Sequence, residues 1–263
     1  MRFSKWHALG NSYLLVEREE LGRPLDIEAA RLLCDAGRGI GADGVLEVLA
    51  SHGAEADVAI WNPDGSQAEF SGNGTRLAAM WLARRSDSNE VVVRVGTRSY
   101  RAIRQDELLV EVEVGPVDVA PVEELDVAGE RVQLAPVSVG NPHAVVRMAA
   151  TRDDLLRLGP RLERHERFPG QTNVQLAEPL GPHAVRALVW ERGAGETSSS
   201  GSSAVAVAAA AVAGGWGESP LTVQMPGGEL LVRVEDGEAT LTGPAEAVCE
   251  GELLLTALVG KSS

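Results

Sequence analysis

Hydrophobic positions along this chain fall mostly into short runs with a period of two, and only occasionally into helical stripes. Val91 to Val95, Leu108 to Val114, Val185 to Trp190, Leu221 to Met225 and Leu230 to Val234 are β-branched or alternating runs, bounded by turn residues such as Pro226-Gly227-Gly228. Such runs predict strands. Helical spacing is confined to about Ile27 to Cys34, Thr75 to Arg85, Asp153 to Leu158 and Ala204 to Ala213. The last of these is ten residues long and carries no charge or hydrogen-bonding side chain. A helix that is apolar on every side is buried on every side. The pattern therefore predicts an α/β chain of the α+β kind, in which mostly antiparallel or mixed sheets, or barrels, wrap around a central helix.

The elements repeat. Trp61-Asn62 and Trp190-Glu191 lie 129 residues apart, as do Ser71 and Ser200, and Gly10-Asn11 precedes Gly140-Asn141 by 130. An offset of about half the chain marks an internal duplication. Two pseudo-symmetric halves are expected, residues 1–115 with the first serine cassette and 116–263 with the second. The boundary is placed where the Glu111 to Val114 run stops at Gly115-Pro116, and the last strand is free to return to the first half. Halves of this size each bury a core of their own.

Charge narrows the partners. The 263 residues carry a formal net charge of −14, which disfavours nucleic acids and anionic membranes, since both need basic patches. There is no run of 18 apolar residues and no signal-like start, so a cytoplasmic protein acting on a small molecule is expected. Cys34 and Cys249 lack metal-ligand spacing and read as small buried hydrophobes. His7, His52, His143, His165 and His183 form no short-spaced pair, so no metal is expected. Lysine occurs only as Lys5 and Lys261, far in sequence from the cassettes. Pyridoxal phosphate needs a positioned lysine, so cofactor-free chemistry is expected.

Each cassette has the same layout. A strand ends at a tryptophan, a polar turn follows, and Ser71-Gly72-Asn73-Gly74 or Ser200-Gly201-Ser202-Ser203 opens an Ala-rich helix. The free N–H groups and positive dipole end of such a helix start favour an anion such as a substrate carboxylate. Serine is also a preferred N-cap, so Ser71 and Ser200 read equally as capping residues.

Six motifs then fall in order along the chain: Lys5-Trp6-His7-Ala8-Leu9-Gly10-Asn11; Gly39-Ile40-Gly41-Ala42-Asp43-Gly44; Asn62-Pro63-Asp64-Gly65-Ser66; Gly140-Asn141-Pro142-His143-Ala144-Val145; Phe168-Pro169 with Thr172-Asn173-Val174; and Glu191-Arg192-Gly193-Ala194-Gly195-Glu196-Thr197. Through them the sequence resembles the diaminopimelate epimerase family over nearly its whole length. The resemblance implies two pseudo-symmetric α/β halves with the active site in the cleft between them. It also implies inversion of an amino-acid α-carbon, LL- to meso-diaminopimelate, by two-base proton transfer without cofactor or metal. A homodimer is a further implication.

By the same resemblance Asn11, Asn62, Asn141, Asn173, Glu191 and Arg192 bind substrate, with Arg192 gripping the distal carboxylate. Gly72, Asn73, Gly201 and Ser202 hold the α-carboxylate through backbone donors, and His143 and Glu191 tune the acidity of the catalytic pair. The departures fall at that pair. Family members carry cysteine at positions 71 and 200, and this chain carries serine at both. A thiol ionises near about 8.5, an alkyl hydroxyl many units higher, and each unit is about 1.4 kcal/mol. Ser71 and Ser200 therefore do not simply inherit the thiol role. Smaller departures are Ser12 and Tyr13 in place of Asp-Phe, and Ser203 in place of a second glycine. The alternatives left open are an epimerase with an unusually polarising site, a cysteine-to-serine altered or naturally inactive homologue that binds an amino acid without turnover, and a racemase of another amino acid.

Overall fold

The structure, a computed structural model, describes residues 1–254. The end of the predicted second half, 255–263 with Lys261, lies outside the described residues. The chain packs as two units, Met1–Val112 together with the segment from Gly243, and Glu113–Thr242.

In the first unit the strands are β1 (Arg2–Ala8), β2 (Asn11–Glu17), β3 (Val45–His52), β4 (Glu55–Trp61), β5 (Gln67–Ala68), β6 (Glu90–Val95), β7 (Arg98–Arg104) and the start of β8 (Leu109–Pro116). The returning strand Glu246–Glu252 pairs antiparallel with β1. The helices are α1 (Arg18–Leu21), α2 (Ile27–Cys34) and α3 (Gly72–Ser86). Neighbouring strands run β1–β2 antiparallel, β2–β3 parallel, β3–β4 and β4–β5 antiparallel, β4–β6 parallel, then β6–β7 and β7–β8 antiparallel. Helix α3 lies against the sheet, its Leu77, Ala78, Ala79, Met80, Leu82 and Ala83 closing over Leu15, Leu46, Val58, Ile60, Val93 and Tyr100. On the other face, α2 buries Ala29, Ala30 and Leu33 against Leu14, Val16 and Val45. Asp26 starts α2 by accepting from the Ala29 N–H at 2.8 Å.

The second unit repeats this wiring. Its elements are β9 (Asp118–Val119), β10 (Glu123–Val127), β11 (Glu130–Ser138), β12 (Pro142–Arg147), α4 (Arg152–Glu163), β13 (Asn173–Gly181), β14 (Ala184–Glu191), β15 (Gly195–Thr197), α5 (Gly201–Ala213), β16 (Leu221–Met225), β17 (Gly228–Glu235) and β18 (Glu238–Pro244). The pairings run β11–β12 antiparallel, β12–β13 parallel, β13–β14 and β14–β15 antiparallel, β14–β16 parallel, then β16–β17 and β17–β18 antiparallel. That is the order of the first unit strand for strand, with α4 in the place of α2 and α5 in the place of α3. Even the hairpin turns match: Gly10 has φ of 86° and Gly140 of 92°, a left-handed conformation that glycine adopts without steric cost.

Helix α5 packs against β9, β11, β12, β13, β14, β16 and β17, and Ala204 to Ala211 are all buried. The all-round apolar run is thus the pin around which the second sheet folds. The fold is mixed α+β with two repeated halves. Helix α4 runs beyond the predicted Asp153 to Leu158, through Gly159-Pro160 to Glu163. The reason is packing: Leu155, Leu158 and Leu162 fall on one buried stripe, which holds the helix past residues that ordinarily end one. The strand β8 likewise continues through Gly115-Pro116. Cys34 is buried, and burial pushes its thiol up to about 11. Cys249 is exposed, contrary to the expectation of two buried thiols. It sits in the strand paired with β1, opposite Lys5.

Candidate active site

In the first unit the site is built where β2 and the head of α3 meet. Ser71 is the N-cap of α3 with extended backbone, and its Oγ accepts from the Gly74 N–H at 3.0 Å. The Tyr13 hydroxyl lies 3.1 Å from the same Oγ. Ser71 therefore does cap its helix, and it is also bonded to a second acid. Asn73, in the first turn, donates from Nδ2 to Asn11 Oδ1 at 3.1 Å. Two of the residues assigned to substrate binding are thus in contact with each other.

Behind them is Arg76, fully buried. Its guanidinium donates to the Gly72 carbonyl at 3.1 Å and to Asn73 Oδ1 at 2.7 Å. Burial pulls its pKa down to about 10, so at neutral pH it stays a cation. Among the described residues no carboxylate bonds it. A buried cation beside the positive end of a helix makes the head of α3 a favourable place for an anion. Gly72 and Asn73 are buried in this turn. Asn62 stands apart: its amide is held by Ser66 Oγ at 2.9 Å within its own turn.

In the second unit Ser200 is buried at the N-cap of α5 and makes no side-chain capping bond. Its hydroxyl lies beside the carboxyl of Glu191 and favours that carboxyl's charged form, and Glu191 accepts from Thr197 Oγ1 at 3.1 Å. Part of Glu191 meets solvent, but the carboxyl itself is enclosed. Burial pushes that carboxyl above the usual range, against the two hydroxyls that favour its charged form. The last residue of β14 and the first residue before α5 thereby form one acid–hydroxyl pair.

His143 sits on β12 at zero exposure. Gln175 Nε2 donates to its Nδ1 at 3.0 Å, and its Nε2 lies 3.0 Å from Asn141 Oδ1. With Nδ1 accepting, the ring proton is on Nε2 and is donated to Asn141. Burial first, and the Arg192 charge second, pull the imidazole down to about 3, so it is neutral at physiological pH. Its hydrogen bonds go to Asn141 and Gln175 and not to Ser200, so it holds the Asn141 amide in place. Gln175 Nε2 is in turn 2.9 Å from Ser203 Oγ. Asn173 on β13 donates to the Pro142 carbonyl at 3.0 Å and accepts from the Arg192 N–H at 3.0 Å. The exposed Arg192 side chain donates to the Gly170 carbonyl at 3.3 Å. Asn141, His143, Asn173, Glu191, Arg192 and Ser200 are thus tied together within one unit, with Gly201 and the half-buried Ser202 in the first turn of α5.

Four participants escaped the sequence reading: Arg76, Gln175, Thr197 and the tyrosine hydroxyl of Tyr13. Arg76 carried a signal, since it falls four residues after Gly72 on the face that a buried helix turns inward. Gln175 is a lone polar residue in the strand run Val174 to Ala177, and a fully buried polar residue needs partners. Two of the small departures are wired into the site, Tyr13 to Ser71 and Ser203 to Gln175. The third, Ser12, bonds Asp43 through both its N–H and its hydroxyl. Among the described residues no three His, Cys, Asp or Glu side chains are grouped to hold a metal ion, and no helix is long and apolar enough to cross a membrane. The Lys5 ammonium donates to the Gly41 carbonyl at 2.6 Å.

Comparison with known proteins bears on this arrangement directly. The family model described as diaminopimelate epimerase matches residues 3–120 and 136–248. A diaminopimelate epimerase of Pseudomonas aeruginosa is 36% identical over 275 aligned positions, covering 97% of this chain and 99% of that protein. The chain belongs to the diaminopimelate epimerase family. Its class is therefore that of the amino-acid epimerases, a group of isomerases. A second member, from Synechococcus elongatus, is 35% identical and covers 98% of this chain and 99% of its own length. The fold reaches further than the family. A probable proline racemase from Agrobacterium radiobacter superposes with a TM-score of 0.75 at 18% identity, covering 97% of this chain and 93% of that one. A hydroxyproline epimerase from Agrobacterium vitis superposes with a TM-score of 0.70 at 16% identity, covering 95% and 91%.

Proposed function

We propose that this chain interconverts LL- and meso-diaminopimelate by two-base proton transfer at the α-carbon, with Ser71 serving one face and Ser200 the other. The observation that carries the reading is the Ser200 hydroxyl set beside the Glu191 carboxyl at the head of α5. A bare alkyl hydroxyl is a poor acid and a poor base near neutral pH. A hydroxyl joined to a carboxyl of raised pKa has a proton source and sink behind it. The helix heads of α3 and α5 supply the N–H donors for the α-carboxylate, the first reinforced by Arg76. Asn11, Asn141 and Asn173 are held by partners that leave amide groups for an amino acid's polar ends, and Arg192 suits a distal carboxylate.

Nothing in this reading needs a cofactor or a metal, since the carbanion's charge is spread into the α-carboxylate held by backbone donors. The same reading makes the protein a cytoplasmic homodimer acting on a small amino acid and on no nucleic acid. Titration calorimetry tests the substrate. Heat is expected on adding LL- or meso-diaminopimelate, and none on adding an amino acid that lacks a distal charged group. Heat from the simple amino acid alone would replace diaminopimelate with another substrate, and binding without interconversion on chiral chromatography would leave a binding protein.

A further inference from the structure

The two serines are not equivalently supported. Ser200 has a carboxyl behind it; Ser71 has no carboxylate in its hydrogen bonds and has the Tyr13 phenol at 3.1 Å instead. We propose that Tyr13 is the positioning and proton-relay residue of the first half, acting on substrate through the Ser71 hydroxyl. The inference rests on the epimerase reading and adds to it the group that makes a serine workable at position 71.

The geometry leaves little freedom. Tyr13 is a β2 residue buried in the core of the first unit. Its ring occupies the space beside Gly44, where a Cβ would fall 2.4 Å from Tyr13 Cε1 and 2.8 Å from the Trp61 carbonyl oxygen. Only glycine leaves room there for the ring. The hydroxyl is therefore carried to Ser71 by packing. Ser71 Oγ already accepts the Gly74 N–H. A hydroxyl has one proton to give and two lone pairs. With one lone pair on Gly74, the remaining lone pair and the proton are shared between the phenol and the head of α3: Ser71 accepts from a neutral phenol and points its proton to the helix head, and it donates to a phenolate and turns a lone pair there.

The chemistry follows from acidity. A phenol ionises near about 10, within roughly two units of a free thiol at about 8.5, whereas a lone serine is far outside that range. In the forward step the α-carbon's C–H bond breaks and its proton passes to Ser71 Oγ. The Ser71 hydroxyl proton passes at the same time to the Tyr13 phenolate. The C–H electron pair stays on the substrate, delocalised into the α-carboxylate. In the reverse step the Tyr13 phenol reprotonates Ser71 Oγ as Ser71 gives its own proton to the carbanion. No atom is gained or lost, and the net acid and base is the phenol. A thiol needs no such relay.

The test is a double-mutant cycle on the full chain, reading epimerisation of diaminopimelate with kcat and KM separated. Tyr13→Phe keeps the ring and removes the hydroxyl. In the Ser71 protein it is expected to lower kcat by about 10²-fold, the usual scale for a general acid or base, with little change in KM. In the Ser71→Cys background the same substitution is expected to cost at least about tenfold less, because the thiol ionises unaided. Equal cost in both backgrounds, or no cost in either, overturns the relay while leaving the epimerase reading intact. Loss of the folded state in Tyr13→Phe, read by near-ultraviolet circular dichroism, marks the tyrosine as purely structural and also overturns it. Absence of epimerisation by the parent chain is a different result: it removes the epimerase reading, and the relay with it.

Discussion

At the residue scale, His143 shows how burial decides a role. Its imidazole is enclosed on all sides and pulled down to about 3, so in the folded protein it is neutral. It takes up a proton on unfolding, where its pKa returns to about 6.5. Between those values the unfolded chain binds more protons than the folded one, so stability rises with pH in that window. The contribution is complete above about 6.5 and is lost as pH falls toward 3, by about 1.4 kcal/mol per unit. Urea unfolding of the parent and of His143→Gln at pH 6.5 and below is expected to differ in slope by that amount. Parallel slopes would mean that His143 titrates normally. The sequence placed His143 in the site by its motif, but not its partner Gln175. A glutamine on the neighbouring strand has no local signal beyond being polar in an apolar run.

At the element scale, the two cassettes have parted. Both serines open their helices, as the spacing predicts, and from sequence alone the two N-caps look alike. Their surroundings differ: Ser71 Oγ accepts from Gly74 N–H, whereas Ser200 makes no capping bond and lies beside the Glu191 carboxyl. Ser71→Ala is therefore expected to destabilise the fold by about 1 kcal/mol, the ordinary worth of a cap. Ser200→Ala has no cap to lose. Its effect is expected in the Glu191 titration, which shifts further upward once one of the two hydroxyls bonding the charged form is gone. Thermal unfolding reads the first, and a pH titration of the Glu191 carboxyl by NMR reads the second. Loss of a full cap's stability in both variants would contradict the asymmetry. The difference was illegible because it depends on where a strand end two turns of sequence away brings a carboxyl. Helix α4 was underread for a similar reason. Gly159-Pro160 spelled an ending, and the buried stripe of Leu155, Leu158 and Leu162 outweighed it.

At the scale of the whole molecule, the duplication is the most legible feature and the most informative. An offset of 129 or 130 residues in a handful of tryptophans, glycines and serines predicted two like units. The strand pairings then repeat in the same order in each unit, with the matching helix after the second strand and after the fifth. In the proposed mechanism the chemistry comes as a pair because the serine-headed helix is duplicated. The two heads are not copies: Ser71 lies beside the Tyr13 phenol and Ser200 beside the Glu191 carboxyl. Family membership, shown at 36% identity across 97% of the chain, supplies the reaction class. It does not supply the acid and base, because at both positions this chain has a residue other than the family's.

In the proposed mechanism Ser71 and Ser200 are the proton-handling pair. Its most direct measurement is α-proton exchange of LL-diaminopimelate in D₂O, followed by NMR for the parent, for Ser71→Ala with Ser200→Ala, and for Ser71→Cys with Ser200→Cys. Slow exchange is expected in the parent, none above background in the double alanine chain, and exchange faster by orders of magnitude in the double cysteine chain, since a thiol at a helix head ionises near neutral pH. Exchange by the double alanine chain at the parent's rate, or a double cysteine chain no faster than the parent, would contradict it.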